Sequence, residues 1–308
     1  MSRTVPVVAM TFGIVLALTP GCGVQETANN GKLRITATTG MIADTARKIG
    51  GDYVEVQALM GPGVDPHLYK ATQGDLIKLR EAEIVLYNGL HLEGRMADVL
   101  EKMGQFSKAV AVTDTIPEDL LRQPPEFKGQ HDPHVWFDLS MWQYVVDRIA
   151  RALGNSDTAH QAEYEANAAA YKAQLQELHD YAKEQIGLIP KESRVLVTAH
   201  DAFGYFGRAY DIEVMGLQGI STMSEAGLQD VEQLADLVAG RKIKAVFVES
   251  SIPRRNIDAL VAGVQNKGHD VQIGGTLYSD AMGEAGTAEG EFLGMFRYNV
   301  DTIVEALR

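Results

Sequence analysis

A single cysteine, Cys22, stands among 308 residues, so no intrachain disulfide can form. Positive charge is scarce as well. The chain carries 28 Lys and Arg against 41 Asp and Glu, a formal net charge of −13, with both signs spread along its length. A nucleic-acid partner would want a basic face, and that class is excluded. Beyond residue 22 no apolar run is long enough to cross a bilayer. There is no GxxxxGK[ST] phosphate loop and no HExxH helix. What is present is ample apolar material, 45% of the residues. That suits a sizeable core, and the length allows two domains of ordinary size.

The first 22 residues differ from the rest. Arg3 gives a positive start, Val5 to Leu18 is mostly apolar and uncharged, and Leu18-Thr19-Pro20-Gly21-Cys22 ends in small residues before the cysteine. This reads as a secretory signal, too short for a comfortable membrane span. The place of Cys22 predicts a lipid-modified residue. Leu18 lies four residues before it where three is usual, so a simply cleaved signal is the competing reading. Residues 23–31 are polar and predict a flexible tether.

From Leu33 onward, strand-like and helix-like segments alternate, which predicts parallel sheet with helical crossovers. The alternation breaks over residues 157–186. There Tyr164, Ala168, Tyr171, Leu175, Leu178 and Ala182 form one stripe at spacings of three and four, in a run rich in Ala, Glu, Gln and Lys. Pro190 stops it. A helix of that length crosses a whole domain. The expected fold is therefore α/β with two lobes, each a parallel sheet flanked by helices, joined by one long helix. The expected bounds are a leader over 1–22, a tether over 23–31, a first lobe over 32–155, a linking helix over 156–188 and a second lobe over 189–308.

Asp65-Pro66-His67 and Asp132-Pro133-His134 are the same tripeptide in two loops. Proline fixes its own φ and biases its neighbour toward extended backbone, so each histidine sits on a stiff stem. The aspartate could accept the imidazole's other N–H, as carboxylates behind metal-bound histidines do, or simply cap a turn. His200 follows the apolar Val195-Leu196-Val197 and falls at the carboxyl end of a strand, where open parallel sheets bind ligands. By itself Asp280, beyond Gly274-Gly275-Thr276-Leu277, reads only as a turn aspartate. The remaining histidines are weaker candidates. His160 and His179 fall on or near the solvated face of the long helix, His269 in a turn, and His131 lacks the preceding proline. His91, after a strand, could line a cleft. Three imidazoles with one carboxylate suit zinc, and suit manganese less strongly; calcium prefers oxygen throughout and Cu(I) prefers sulfur.

The segments carrying these residues resemble the zinc/manganese solute-binding proteins of ABC importers, most closely the TroA-like members. They are Met60-Gly61-Pro62-Gly63-Val64-Asp65-Pro66-His67-Leu68-Tyr69, Tyr87-Asn88-Gly89-Leu90-His91-Leu92-Glu93 and Asp132-Pro133-His134-Val135-Trp136-Phe137-Asp138, then Val197-Thr198-Ala199-His200-Asp201-Ala202-Phe203, Glu249-Ser250-Ser251-Ile252-Pro253 and Ser279-Asp280-Ala281-Met282-Gly283. The likeness runs from about residue 32 to the end. It implies metal held in a cleft between two lobes by His67 and His134 from the first and His200 and Asp280 from the second. Other branches have glutamate where this chain has His200. Dedicated zinc importers carry a His/Asp-rich loop before the second ligand; residues 116–130 are short and hold no histidine, which argues against a zinc-only assignment.

The function so implied is capture of Zn2+ or Mn2+ in the periplasm or at the outer face of the cytoplasmic membrane. The cargo passes to an ABC importer permease served by a separate cytoplasmic ATPase. The expected protein is a monomer, with a possible lipid anchor at Cys22, no nucleic-acid partner and no catalytic residue. A stiff linking helix implies small local motions rather than wide opening. Two other classes stay open at this stage. A zinc hydrolase would need an open coordination position and a base such as Glu249 facing the cleft. A surface adhesin would hold the metal as a structural element.

Overall fold

The computed structural model describes residues 31–104, 108–125, 127 and 129–308, together with Met1, Ser2 and Thr4. The predicted leader with Cys22, and the tether up to residue 30, otherwise lie outside the described residues. Residues Lys32–Arg308 form one unit, and its architecture follows.

The first half alternates as its hydrophobic pattern predicts: β1 (Leu33–Ala37), α1 (Gly40–Gly50), β2 (Val54–Ala58), α2 (Gln73–Glu81), β3 (Ile84–Tyr87), α3 (Ala97–Gly104), β4 (Ala109–Ala111) and α4 (Leu139–Ser156). The strands are parallel in the order β2-β1-β3-β4, with Ile35 opposite both Val56 and Ile84. Central β1 and β3 are almost wholly buried, whereas edge strand β2 exposes Glu55 and Gln57, as expected for a sheet covered by helices with one half-solvated edge. Local signals set the helix starts. Thr72 and Asp75 form a reciprocal capping box at α2. The Asp138 carboxylate accepts the Ser140 and Met141 amides at the head of α4.

Then α5 (Gln161–Gly187) runs 27 residues, about 40 Å at 1.5 Å per residue. All six members of the expected stripe are buried. One expectation fails. His179 is buried rather than solvated, with its Nδ1 at 3.0 Å from the Tyr210 hydroxyl. It lies four residues after Leu175 and so shares the stripe's face. His160 falls just before the helix, in a short 3-10 turn, and stacks on Tyr53 with ring centroids 3.9 Å apart.

The second half repeats the architecture: β5 (Val195–His200), α6 (Gly204–Tyr210), β6 (Glu213–Gln218), α7 (Leu228–Gly240), β7 (Ala245–Glu249), α8 (Arg255–Asn266), β8 (Gln272–Leu277) and α9 (Phe292–Leu307). Its strands pair in parallel as β5-β6 and β7-β8, two ladders placed with β5 beside β7.

Each lobe has a smaller apolar cluster of its own, but the largest one is shared between them. Helix α5 packs on α1 and α4 from the first half and on α6 and α9 from the second. The largest apolar cluster joins Trp136, Phe137 and Trp142 to Phe203, Phe206 and Phe296, with Phe137 stacked on Phe203 at 4.2 Å. Helix α9 reaches back as well, its Phe292 amide donating to the buried Asp44 carboxylate at 3.0 Å. Swinging the lobes apart would expose this shared core at about 25 cal/mol per Å². Leu175→Ala, at a fully buried point of the stripe, is expected to cost about 2–5 kcal/mol of stability in chemical denaturation. The exposed Gln174→Ala should stay within about 0.5 kcal/mol. Equal effects of the two would show that the stripe is not core.

Candidate metal centre

All four candidate side chains stand beyond the carboxyl ends of parallel strands, the edge at which such sheets present ligands. His200 is the last residue of β5 and Asp280 lies three residues past β8. His67 sits in the loop after β2, and His134 between β4 and α4, just before a 3-10 turn at Val135–Phe137. These loops converge. The His67 and His134 Nε2 atoms are 3.3 Å apart. Asp280 Oδ1 is 3.4 Å from His134 Nε2, and Oδ2 is 3.5 Å from His67 Nε2 and 3.3 Å from His200 Nε2. Among the described residues these are the residues whose donor atoms form a group able to hold a metal, all within 4.8 Å of one another.

The spacing is informative. Donors about 2.1 Å from a common centre lie about 3.4 Å apart at tetrahedral angles. The four residues are no more than 2% exposed, yet His200 Nε2 and both Asp280 oxygens have no hydrogen-bond partner. Buried polar atoms are otherwise almost always paired. A small cation at the common centre would satisfy all three at once.

Two of the three histidine rings are held from behind by a carboxylate. Asp132 Oδ1 accepts both the backbone amide of His134 at 3.0 Å and its ring Nδ1 at 2.8 Å, while Oδ2 pairs with the Arg122 guanidinium. Glu249, the last residue of β7, accepts the His200 amide through Oε1 at 2.8 Å and its Nδ1 through Oε2 at 2.5 Å. A carboxylate on Nδ1 keeps the proton there and turns the Nε2 lone pair toward the centre. Asp65 departs from this. Its Oδ1 accepts the His67 backbone amide at 2.8 Å, and its Oδ2 accepts the Thr222 hydroxyl at 2.6 Å. The repeated tripeptide thus shapes the backbone in both copies and orients the imidazole ring in one.

Burial and charge together set the protonation of the centre. Burial pushes His67 down to about 3. For His134 burial acts in the same downward sense but is outweighed by the Asp132 and Asp280 carboxylates, which push it up to about 9. At His200 burial is likewise overcome by Glu249 and Asp280, and the imidazole is raised well above its ordinary value. Asp280 is held well below the usual carboxylate range, the neighbouring His200 and His134 overriding its burial. The neighbouring carboxylates thus favour a proton on His134 and on His200, while burial disfavours one on His67.

The other histidines stay apart. His131 pairs with Glu118 at 2.9 Å, His269 with the Ile243 carbonyl at 2.7 Å, and His91 is exposed at φ +62°. Several supporting residues carried no role in the sequence reading. The Trp136 indole donates to the Ser279 carbonyl at 3.0 Å, beside Asp280. The Asn88 amide side chain donates to the Pro133 carbonyl at 3.1 Å, and buried Glu93 accepts the Asn88 backbone amide at 2.7 Å. An acid set among Leu90 and Leu92 was the available signal for Glu93; nothing local marked Thr222 or Arg122.

With this geometry established, comparisons with known proteins are specific. The profile of the family described as zinc-uptake complex component A, periplasmic, matches residues 35–306. The manganese-binding lipoprotein MntA of Bacillus subtilis is 52% identical over 290 residues, 94% of each chain. The zinc-binding protein TroA of Treponema pallidum is 48% identical over 300 residues, 97% of this chain and 96% of that one. A solved structure of the periplasmic zinc-binding protein TroA from Treponema pallidum superposes with a TM-score of 0.87 at 49% identity, covering 90% of this chain and 99% of that chain. Two lobes of parallel sheet and one long helix are common to this fold, and the chain belongs to the zinc-uptake component A family of periplasmic metal-binding proteins.

Proposed function

We propose that the protein captures a divalent transition-metal ion, Zn2+ or Mn2+, outside the cytoplasm and passes it to the permease of an ABC importer whose ATPase is a separate chain. The ligands are the Nε2 atoms of His67, His134 and His200 and the carboxylate of Asp280. The observation that carries this reading is the convergence of those donors in a buried spot where three polar atoms lack any partner. In the same reading residues 1–22 are a leader, Cys22 a lipid attachment point, 23–31 a tether, 32–155 and 189–308 the two metal-binding lobes, and 156–188 the linking helix.

The two relatives bear names that point to different metals, manganese for one and zinc for the other. The centre suits both. Asp280 faces the histidines with both oxygens, so it offers four donors with one oxygen engaged and five with both. Zinc is at home with the smaller number, and manganese accepts oxygen donors and higher coordination. A hydrolase is disfavoured by Glu249. Both of its oxygens are engaged by His200, which leaves no free base beside the centre.

Replacing His67 or His200 with Ala should weaken Zn2+ binding by more than the roughly 100-fold typical of losing an outer partner, measured by competition calorimetry. Glu249→Gln should cost about 10–100-fold, and His160→Gln should cost nothing. Retained affinity in the His67 and His200 variants would remove the centre from consideration. Protons compete with the metal. His134 titrates near 9 and His200 is raised as well, so at neutral pH loading should release about two protons. Apparent affinity should rise from pH 6 toward pH 9, and the binding enthalpy should vary with the ionisation enthalpy of the buffer. An enthalpy independent of buffer would contradict this charge state.

A further inference from the structure

Three of the four ligands, His67, His134 and Asp280, sit on loops fastened from the opposite half of the chain. The Tyr205 hydroxyl donates to the Asp132 carbonyl at 2.9 Å, two residues from His134. The Trp136 indole donates to the Ser279 carbonyl, one residue from Asp280. The Thr222 hydroxyl donates to Asp65 Oδ2 at 2.6 Å, and Asp65 Oδ1 accepts the His67 amide. The first two donors belong to the shared apolar core, Tyr205 at 0% and Trp136 at 1% exposure. They cannot let go unless that core opens.

Thr222 is placed differently. Its side chain is buried, but it lies in the segment 219–227 between β6 and α7, where Met223, Ser224 and Glu225 are exposed. The segment reaches across to the His67 loop. A Cβ placed on Gly94 would lie 3.7 Å from Met223 Sδ and 3.8 Å from the His67 carbonyl oxygen. A bond to a carboxylate is stronger than one between neutral groups. Here it joins the halves at a point reachable from solvent, and breaking it requires no core residue to move. Local openings of this kind lie at the low end of the free-energy range of native-state motions.

We propose that Thr222 is a positioning residue for cargo retention. Through Asp65 its hydroxyl holds the His67 loop against the centre, and loss of this one bond between the lobes lets the metal ion leave. The inference rests on the metal-capture reading above. It assigns the slow step of release to the 219–227 segment rather than to a swing of whole lobes.

The test uses the full chain loaded with Zn2+, and Thr222→Val, which keeps the shape and removes the hydroxyl. Stopped-flow transfer of Zn2+ to an excess of a chromogenic chelator reads dissociation, and a separate mixing experiment reads association. Thr222→Val should speed dissociation about tenfold and leave association within about twofold of the parent, as expected when a contact acts mainly on the off-rate. Thr222→Ser should restore the parent rate, which loss of packing alone would not allow. If the Val variant fails to fold, Thr222→Ala is read in the same way. Dissociation within twofold of the parent, or no rescue by Ser, would overturn the proposal. Failure of the unmodified chain to bind Zn2+ would instead overturn the capture reading, so the two are separable.

Discussion

The structure depends on one constraint: a carboxylate and three imidazoles are withdrawn from water together. An isolated buried charge is too costly to keep, so Asp280 needs a cation or protons within reach. Around it stand Asp65, Asp132 and Glu249 with Arg122 as a cationic counterpart, an arrangement short of positive charge. A divalent ion would supply what is missing, and the same shortage of positive charge is what raises His134 and His200. The same burial makes the geometry stiff, because the carboxylates behind His134 and His200 hold both the ring and the backbone amide of each. Asp132, Glu249 and Asp65 each use one oxygen on a histidine's backbone amide. The position of each donor is thereby tied to the path of its own loop.

Stiffness at the centre is matched by stiffness between the lobes. Helix α5 lies on both halves, and the apolar cluster passes through the junction without interruption. A wide hinge motion would tear that cluster open. Under the proposed function, exchange of cargo would fall to loops such as the 219–227 segment, held across the seam by the polar contact of Thr222 with Asp65. The capture of a metal in such a frame is a matter of completing a preformed set of donors more than of closing two jaws.

Much of the fold was legible in the residue pattern. The alternation of strands and helices, the six-residue stripe of α5 and the capping residues are local features, and they produced the same elements in the structure. His179 shows where the reading fails. It is expected on or near the solvated face, but its spacing from Leu175 puts it on the buried one. Of the centre, His67 and His134 were visible through their repeated tripeptide and His200 through its strand end. Asp280 was not, because a turn aspartate after two glycines has no local mark of its partners.

The sequence by itself determined the elements, the parallel arrangement and the stiff presentation of three histidines, because periodicity, proline geometry and strand ends act over a few residues. Only the tertiary structure decided that these histidines meet Asp280, that Glu249 stands behind His200 instead of serving as a base, and that Thr222 holds Asp65 across 157 positions of chain. Those relations arise from packing two halves on one core, and long-range proximity leaves no trace in the spacing of neighbouring residues.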